Sequence, residues 1–362
     1  MKEQSADNNK PGGRHVAIFR FSALGDVAMT VPVVYEVCRA CPDVRFTFYT
    51  KKAVAPLFLY PPANLSVFPV DTHGRYRGLR GLWRLFREAR GQGVDVVADL
   101  HNVLRTRILG LLFMMAGARR AVLDKDRSAK RRLTAREKTS PLHPLPTSFD
   151  RYRKVFSRLG FETPDTFVSV FDNDHLPLPL PAGIEPRRPG EHWVGVAPFA
   201  KHEGKIYPLD RSEELVARLS QRGDCRVFLM GGGGEEAARL HDWATRYPQV
   251  VSLAGQRLGF AVELSMMRRM SLVVSMDSAN MHLASLAGTP VVSVWGQTHP
   301  FAGFLGWRQR EENVMQLPDM PCRPCSIFGN KPCYRGDYAC MHHLAVDKIY
   351  RRIEEILQQE KQ

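Results

Sequence analysis

Two short segments carry the residues best suited to chemistry. The first, RFSALGDVAMTVP, runs from Arg20 to Pro32 and reads as a strand end, a glycine turn and a helix start. Gly25 permits the tight turn. Asp26, at the mouth of a cleft, could accept a proton from a hydroxyl group; as plain structure it would be a helix N-cap. The second, VVSMDSANMHLASLAGTPVVSVWG, runs from Val273 to Gly296. A buried strand leads into Asp277 and Ser278, which open a helix. Ser278 and Ala279 are small, so the first-turn N–H groups stay approachable, and such a terminus binds phosphate through free donors and the helix dipole. His282, on the first turn, could face the same anion. A capped helix in an ordinary α/β unit would show the same pattern.

Further segments add to these. Gly231 to Glu236 reads GGGGEE between a strand and a helix, and Gly231 and Gly232 let a ligand approach the backbone. No Lys-Ser/Thr follows, so this is not a P-loop, and Glu236 in the sixth position breaks the dinucleotide fingerprint. In FAKHEGKIYP, Lys201 and Lys205 could neutralise a diphosphate or could be solvated surface lysines. Arg77, Arg80, Arg84 and Arg87 recur on one helix face. Lys125, Arg127, Lys130, Arg131, Arg132, Arg136 and Lys138 crowd the segment 124–146, which reads as a long loop. Cys322, Cys325, Cys333 and Cys340 follow the spacing C-x2-C-x7-C-x6-C. The first pair has metal-knuckle spacing, and His342 and His343 are extra candidate ligands for a structural zinc. Paired thiols, or free thiols in a Gly/Pro-rich loop, are the alternatives.

The elements that position these residues alternate. Strands are predicted at His15–Phe19, Val44–Tyr49, Val94–Leu100, Trp193–Ala197, Arg226–Met230, Leu272–Ser275 and Val291–Trp295. Helices are predicted at Val27–Arg39, Arg105–Ala116, Phe149–Leu159, Ser212–Gln221, Glu235–Arg246, Glu263–Met270, Ser278–Ala287 and Val346–Gln358. This rhythm indicates parallel α/β sheets. Five prolines within 174–190 mark an interdomain linker. The expected division is a polar tail over 1–14, a first domain over 15–178, a linker over 179–191 and a second domain over 192–345 holding the cysteine segment 322–340. A C-terminal helix over 346–362 follows. Two α/β halves would bind ligands in a cleft at their strand ends.

The chain has 362 residues, 44% of them hydrophobic and 24% charged, which suits a two-domain globular protein. Its net charge of +14 excludes an acidic solvating protein and points to anionic partners. Residues 1–180 hold 29 basic and 17 acidic side chains, against 22 and 20 over 181–362, so the excess lies in the first half. The longest apolar run, Ile108 to Ala118, has 11 residues, whereas a spanning helix needs about 20. With no signal-peptide core near the N-terminus, a cytoplasmic location is expected.

Taken together, RFSALGDVAMTVP and SMDSANMHLASLAGTPVVSVWGQTHP resemble glycosyltransferase family 9, the lipopolysaccharide heptosyltransferases. Lys205-Ile206-Tyr207-Pro208 is similar to the family's donor-phosphate lysine motif, and Gly231 to Glu236 sits where the family has a strand–Gly–Glu–Glu–helix passage. The resemblance implies a GT-B fold of two Rossmann-like domains, the first binding acceptor and the second binding donor. It implies inverting transfer of a heptose from ADP-heptose to a lipid A-core acceptor, without a cofactor or a catalytic metal. Asp26 then matches the general base, Lys205 the donor-phosphate lysine, Asp277 the aspartate near the donor sugar, and Ser278, Ala279 and His282 the phosphate-binding helix start. Ser22, Gly25, Arg80, Arg84, Arg105, Lys130 and Arg131 are candidates for an anionic glycolipid acceptor at the inner-membrane surface. Around Ser252 to Leu258 no acidic residue is present for the donor ribose. A glycosyltransferase of the same fold using another nucleotide sugar or a surface-glycan acceptor, and a family member that has lost activity and serves as a binding protein, are the alternatives nearest to this reading. A nucleic-acid binder using the basic half and the cysteine knuckle is the alternative of another class. No nucleic-acid signature supports it, and the glycine pattern speaks against a dinucleotide oxidoreductase.

Overall fold

The computed structural model describes residues 14–136, 141–171, 174–318 and 320–360. The expected tail, apart from Arg14, and Lys138 of the basic segment lie outside the described residues. Along the chain run β1 (His15–Phe19), α1 (Leu24–Ala28), α2 (Val31–Ala40), β2 (Arg45–Lys51), β3 (Leu65–Val70) and α3 (Gly78–Gly91). They are followed by β4 (Val96–Asp99), α4 (Leu104–Met115), β5 (Arg119–Val122), α5 (Arg127–Leu133) and α6 (Ser148–Arg158). Next come β6 (His192–Ala197), α7 (Leu209–Ser220), β7 (Cys225–Leu229), α8 (Glu235–Arg246), β8 (Val250–Ser252) and α9 (Phe260–Arg268). The chain ends with β9 (Leu272–Met276), α10 (Ala279–Leu286), β10 (Val291–Val294), β11 (Val314–Met315), α11 (Ala339–His342) and α12 (Val346–Gln359).

The strands form two sheets. The first has the order β3-β2-β1-β4-β5 and the second β11-β10-β9-β6-β7-β8. Every pair is parallel. The central strands β1, β6 and β9 are buried along their whole length, as parallel strands covered on both faces must be. The expectation of two parallel α/β sheets therefore holds.

Two compact units contain these sheets. One comprises 14–22, 33–124 and 152–166, and the other comprises 23–32, 125–151 and 167–360 of the described chain. The first unit's core joins Phe19, Phe21 and Tyr49 to Leu82, Leu85 and Phe86 of α3 and to Leu109 and Phe113 of α4. The second unit's core joins β6, β7, β9 and β10 to α7, α8 and α12, the last contributing Val346, Ile349, Ile353 and Leu357. Among the described residues, 174–191 contain neither helix nor strand.

Three local expectations need correction. The helix expected over Val27–Arg39 is two helices, broken at Met29 and Thr30. Pro32 has no N–H to donate, so it suits the first turn of a new helix and not the middle of an old one. The segment 124–146 is not all loop, because α5 lies inside it. Its alternation of Ala129 and Leu133, buried, with exposed arginines gives one side to the core. Strands β3, β5, β8 and β11 were not expected; each is short or carries charge or proline.

Candidate active site

Strand order reverses direction between β6 and β9, the position where open α/β sheets bind ligands beyond their strand ends. Asp277 directly follows β9, Lys205 lies on a short 3-10 turn after β6, and Gly231 lies two residues after β7. These groups line one cavity of about 730 Å³ together with Gly25, Asp26, Gly232, Ser278, Ala279 and His282. Every residue lining it belongs to the second unit, because α1 groups with that unit.

Gly25 explains why α1 can lie there. A Cβ on Gly25 would sit 2.9 Å from His282 Cδ2 and 3.5 Å from Ala279 Cα, so any side chain would push α1 away from α10. Asp26 is the third residue of α1. Its Oδ2 accepts a hydrogen bond from the Ala23 N–H at 3.2 Å, so the carboxylate steadies its own helix start while lining the cavity. The N-cap of α1 is therefore Ala23 and not Asp26, which acts back on that cap from the third helical position while it faces the cavity.

Lys205 and Asp277 form an ion pair, Nζ to Oδ2, at 2.8 Å, with side chains only 14% and 4% exposed. Gly329 has φ +68°, and a Cβ there would lie 2.6 Å from Lys205 Cγ, so backbone of the cysteine segment packs directly on the lysine stem. Ser278 is the N-cap residue of α10, with extended backbone, but its side chain makes no capping bond. Its Oγ lies 3.2 Å from Ser275 Oγ instead. The first-turn N–H groups of α10 are thus uncapped by that side chain where Ser278, Ala279 and Asn280 line the cavity. Burial pulls the His282 pKa down to about 4, against the opposing charges of Asp277 and Asp26. At neutral pH this imidazole is uncharged and can serve an anion by hydrogen bonding alone.

The remaining expected residues fall in several places. Gly231 and Gly232 line the cavity, and a Cβ on Gly231 would sit 2.8 Å from Leu240 Cδ1. Lys130, on α5, places its Nζ 4.7 Å from the centre of the Phe304 ring, and Phe304 lines the cavity. Burial first and Arg151 second depress the Lys130 pKa to about 8, while Asp26 and Asp126 raise it. Arg131 is exposed and does not line the cavity. Ser22, Arg80, Arg84 and Arg105 belong to the first unit. There Arg80 and Arg84 border a shallow recess of about 460 Å³ with Arg75, Trp83, Arg87 and Glu88. The Arg105 guanidinium lies 5.8 Å from the Phe21 ring centre, and the Ser22 carbonyl accepts from Arg20 Nε.

The structure gives the expected zinc no ready-made ligand set among the described residues. Cys322, Cys325, Cys333 and Cys340 are free thiols. Among the described residues, no group of three or more His, Cys, Asp or Glu side chains could hold a metal ion. Burial pushes the Cys340 thiol up to about 11, so without a bound ion it is a neutral thiol at pH 7. Arg323 anchors the segment instead. Its buried guanidinium donates to the carbonyls of Gly296 (2.5 Å), Leu317 (2.8 Å), Thr298 (3.0 Å) and Trp295 (3.3 Å). The Cys325 N–H donates to the Gln297 carbonyl at 3.1 Å. So held, the segment brings Phe328 and Asn330 to the cavity wall.

Sequence reasoning missed those two residues and gave Glu236 no role. Glu236 Oε2 accepts from the Gly232 N–H at 2.8 Å at the cavity edge. The glycine run marks this place in the sequence, and the stretch 252–258 holds no acidic residue.

Comparison with known proteins agrees with this architecture. The sequence model of glycosyltransferase family 9 (heptosyltransferase) matches residues 82–330. Lipopolysaccharide heptosyltransferase 1 of Pseudomonas aeruginosa is 28% identical over 86% of this chain and 85% of its own length. The crystal structure of a family 9 glycosyl transferase from Veillonella parvula superposes with a TM-score of 0.71 at 17% identity, covering 97% of this chain and 99% of that one. The E. coli heptosyltransferase WaaC with ADP-2-deoxy-2-fluoro heptose gives a TM-score of 0.63 at 22% identity, covering 94% and 99%. With a family match over more than half its length and two parallel Rossmann-like sheets, the chain belongs to glycosyltransferase family 9 (heptosyltransferase) and is a glycosyltransferase of the GT-B fold.

Proposed function

We propose that this glycosyltransferase moves a heptose from ADP-heptose to the core region of a lipopolysaccharide acceptor, with inversion at the anomeric carbon. The observation that carries the reading is the convergence of Asp26, the Lys205–Asp277 pair and the uncapped start of α10 on one cavity. The P. aeruginosa relative is a lipopolysaccharide heptosyltransferase, and WaaC holds an ADP-heptose analogue.

In this reading Asp26 takes the proton from the acceptor hydroxyl as that oxygen attacks the anomeric carbon. The bond to ADP breaks on the opposite face, which inverts the centre. Negative charge then grows on the diphosphate. Lys205, the α10 N–H groups beside Ser278 and Ala279, and the neutral His282 ring stabilise it. Asp277 holds the Lys205 ammonium in place and faces the donor sugar. Gly231 and Gly232 admit the nucleoside, and Glu236 offers a carboxylate to a ribose diol. The protein's own groups meet the diphosphate charge, so the reading calls for no cofactor or catalytic metal. Lys130, with Ser22, Gly25, Arg80, Arg84 and Arg105, serves an anionic glycolipid acceptor, and Arg131, off the cavity wall, adds only to the surrounding positive charge. The enzyme then works at the cytoplasmic face of the inner membrane, and nucleic acid has no part.

Calorimetry with ADP-, UDP- and GDP-sugars tests this reading. ADP-heptose is expected to bind most tightly. Equal or better binding of a UDP- or GDP-sugar would overturn the donor assignment.

A further inference from the structure

We propose that the outer face formed by α3 and α4 in the first unit docks the protein on an anionic lipid bilayer. The inference deepens the reading above, since it rests on an acceptor that is lipid-anchored.

Helix α4 is apolar on two sides. Its inner side, with Leu109, Gly110 and Phe113, is buried in the core. Its outer side carries Leu104 (75% exposed), Leu111 (48%) and Met115 (69%). Those positions are spaced to form a single stripe along a helix. Folding of the unit thus covers one side of α4 and leaves a second apolar side facing out. Helix α3 repeats the arrangement. Leu82, Leu85 and Phe86 point into the core, while Leu79 (71% exposed) and Trp83 (51%) point out.

The two helices are neighbours. Phe86 and Phe113 meet edge to face at 4.9 Å, and the Trp83 ring packs 5.3 Å from Phe86. Their outer stripes therefore belong to one layer. Arginine surrounds these apolar side chains: residues 75–91 and 104–115 hold eight arginines and one acidic residue, Glu88. Glu88 is already engaged by Arg75 and by the Tyr76 hydroxyl, both at 2.6 Å.

Exposed Leu, Met and Trp set among arginines are the components of a face lying in the headgroup region. The apolar tips enter the acyl boundary, and the guanidinium groups meet lipid phosphates. Charge argues against a second copy as the occupant. A two-fold interface would set this arginine-rich patch against itself. Nucleic acid would give Leu104, Leu111 and Met115 no gain.

Trp83 makes the proposal testable, because the other four tryptophans, Trp193, Trp243, Trp295 and Trp307, are buried. The full chain is mixed with vesicles of phosphatidylcholine alone, or of phosphatidylcholine with phosphatidylglycerol, without any acceptor. Expected are co-sedimentation with the anionic vesicles, weakened by salt, a blue shift of Trp83 emission, and quenching by chain-brominated lipid. Trp83→Phe should bind without that signal. Leu111→Ser with Met115→Ser, both exposed positions that the fold does not need, should weaken vesicle binding about tenfold and leave ADP binding unchanged. The proposal is overturned if anionic vesicles do not co-sediment the protein, or if binding leaves Trp83 emission unmoved. A blue shift that rises with protein concentration without lipid would also overturn it, in favour of self-association. Transfer to a detergent-dispersed acceptor is measured separately, so failure of docking and failure of the heptosyltransferase reading give different results.

Discussion

In the first sheet strand order changes direction between β1 and β4, and in the second between β6 and β9. Both points carry a buried or nearly buried aspartate paired with a cation. At the end of β4, Asp99 is fully buried, and its Oδ2 lies 3.2 Å from Arg120 Nη2. Its Oδ1 accepts the N–H groups of His101 (3.0 Å) and Asn102 (2.7 Å). Arg20, after β1, spends its guanidinium on the carbonyls of Leu100 and Ser22. After β9, Asp277 pairs with Lys205, but both side chains line a cavity beside a helix start without a side-chain cap. An ion pair at a strand end is therefore no mark of a site by itself. The mark is whether donors remain that the protein does not use.

The largest effect that sharpens this comparison comes from Asp26. Asp26→Asn keeps the hydrogen bond to Ala23 N–H within reach and removes the base. Turnover is expected to fall by at least roughly 10³-fold, while calorimetry shows ADP binding unchanged. Near-normal turnover would remove Asp26 from the role of base.

Next come the two ion pairs, treated alike. Lys205→Ala should lower kcat/KM for the donor by about 10²- to 10³-fold, since a phosphate-facing cation acts on the leaving group. Arg120→Ala should leave donor affinity unchanged and cost about 3 kcal/mol of stability in urea unfolding, because it strands the buried Asp99 carboxylate. If Arg120→Ala weakened donor binding as much as Lys205→Ala, the distinction between a satisfied and an open switch point would fail.

Gly25 shows how far the sequence could be read. The motif around it was legible as strand, turn and helix, and the turn seemed reason enough for glycine. The stronger reason is the Cα-to-ring approach to His282, which no local pattern contains. The break at Met29 was readable from Pro32, but the mostly apolar stretch Val27 to Val37, interrupted only by Thr30 and Glu36 among polar residues, hid it. Asp277 was legible because it directly follows a strongly apolar strand, and Lys205 through the resemblance of its Lys-Ile-Tyr-Pro segment to the family motif. Their pairing was not, being 72 residues apart in sequence. The cysteine segment was the least legible. Its spacing drew attention to the thiols, whereas the visible anchor is Arg323, held by four backbone carbonyls and the Gln316 side chain, which no local pattern announces. Gly25→Ala tests the packing argument: a Cβ against His282 displaces α1 and with it Asp26, and a shift of about 1 Å costs roughly 10²-fold in kcat. Thermal stability should fall less than activity does, because the displaced helix is only five residues long.

The smallest expected effect separates charge from hydrogen bonding within the second unit. His282 is held neutral down to about pH 4, so its donor contribution should not change between pH 6 and 8. Lys130 is different, with a pKa depressed to about 8 by burial. Below that pH it is a cation, and above it the charge is lost, so an anionic acceptor loses its partner as pH rises. The pH profile of kcat/KM for acceptor is therefore expected to fall through about 8, while the donor dissociation constant stays flat. Lys130→Arg keeps the charge and should flatten the alkaline limb. Lys130→Met should lower kcat/KM for acceptor about tenfold at pH 7, as loss of one charge-assisted hydrogen bond does, whereas Arg131→Met, exposed and away from the cavity wall, should change it little. Equal losses for Lys130→Met and Arg131→Met would mean that the acceptor senses the summed charge of α5 and not the lysine beside Phe304.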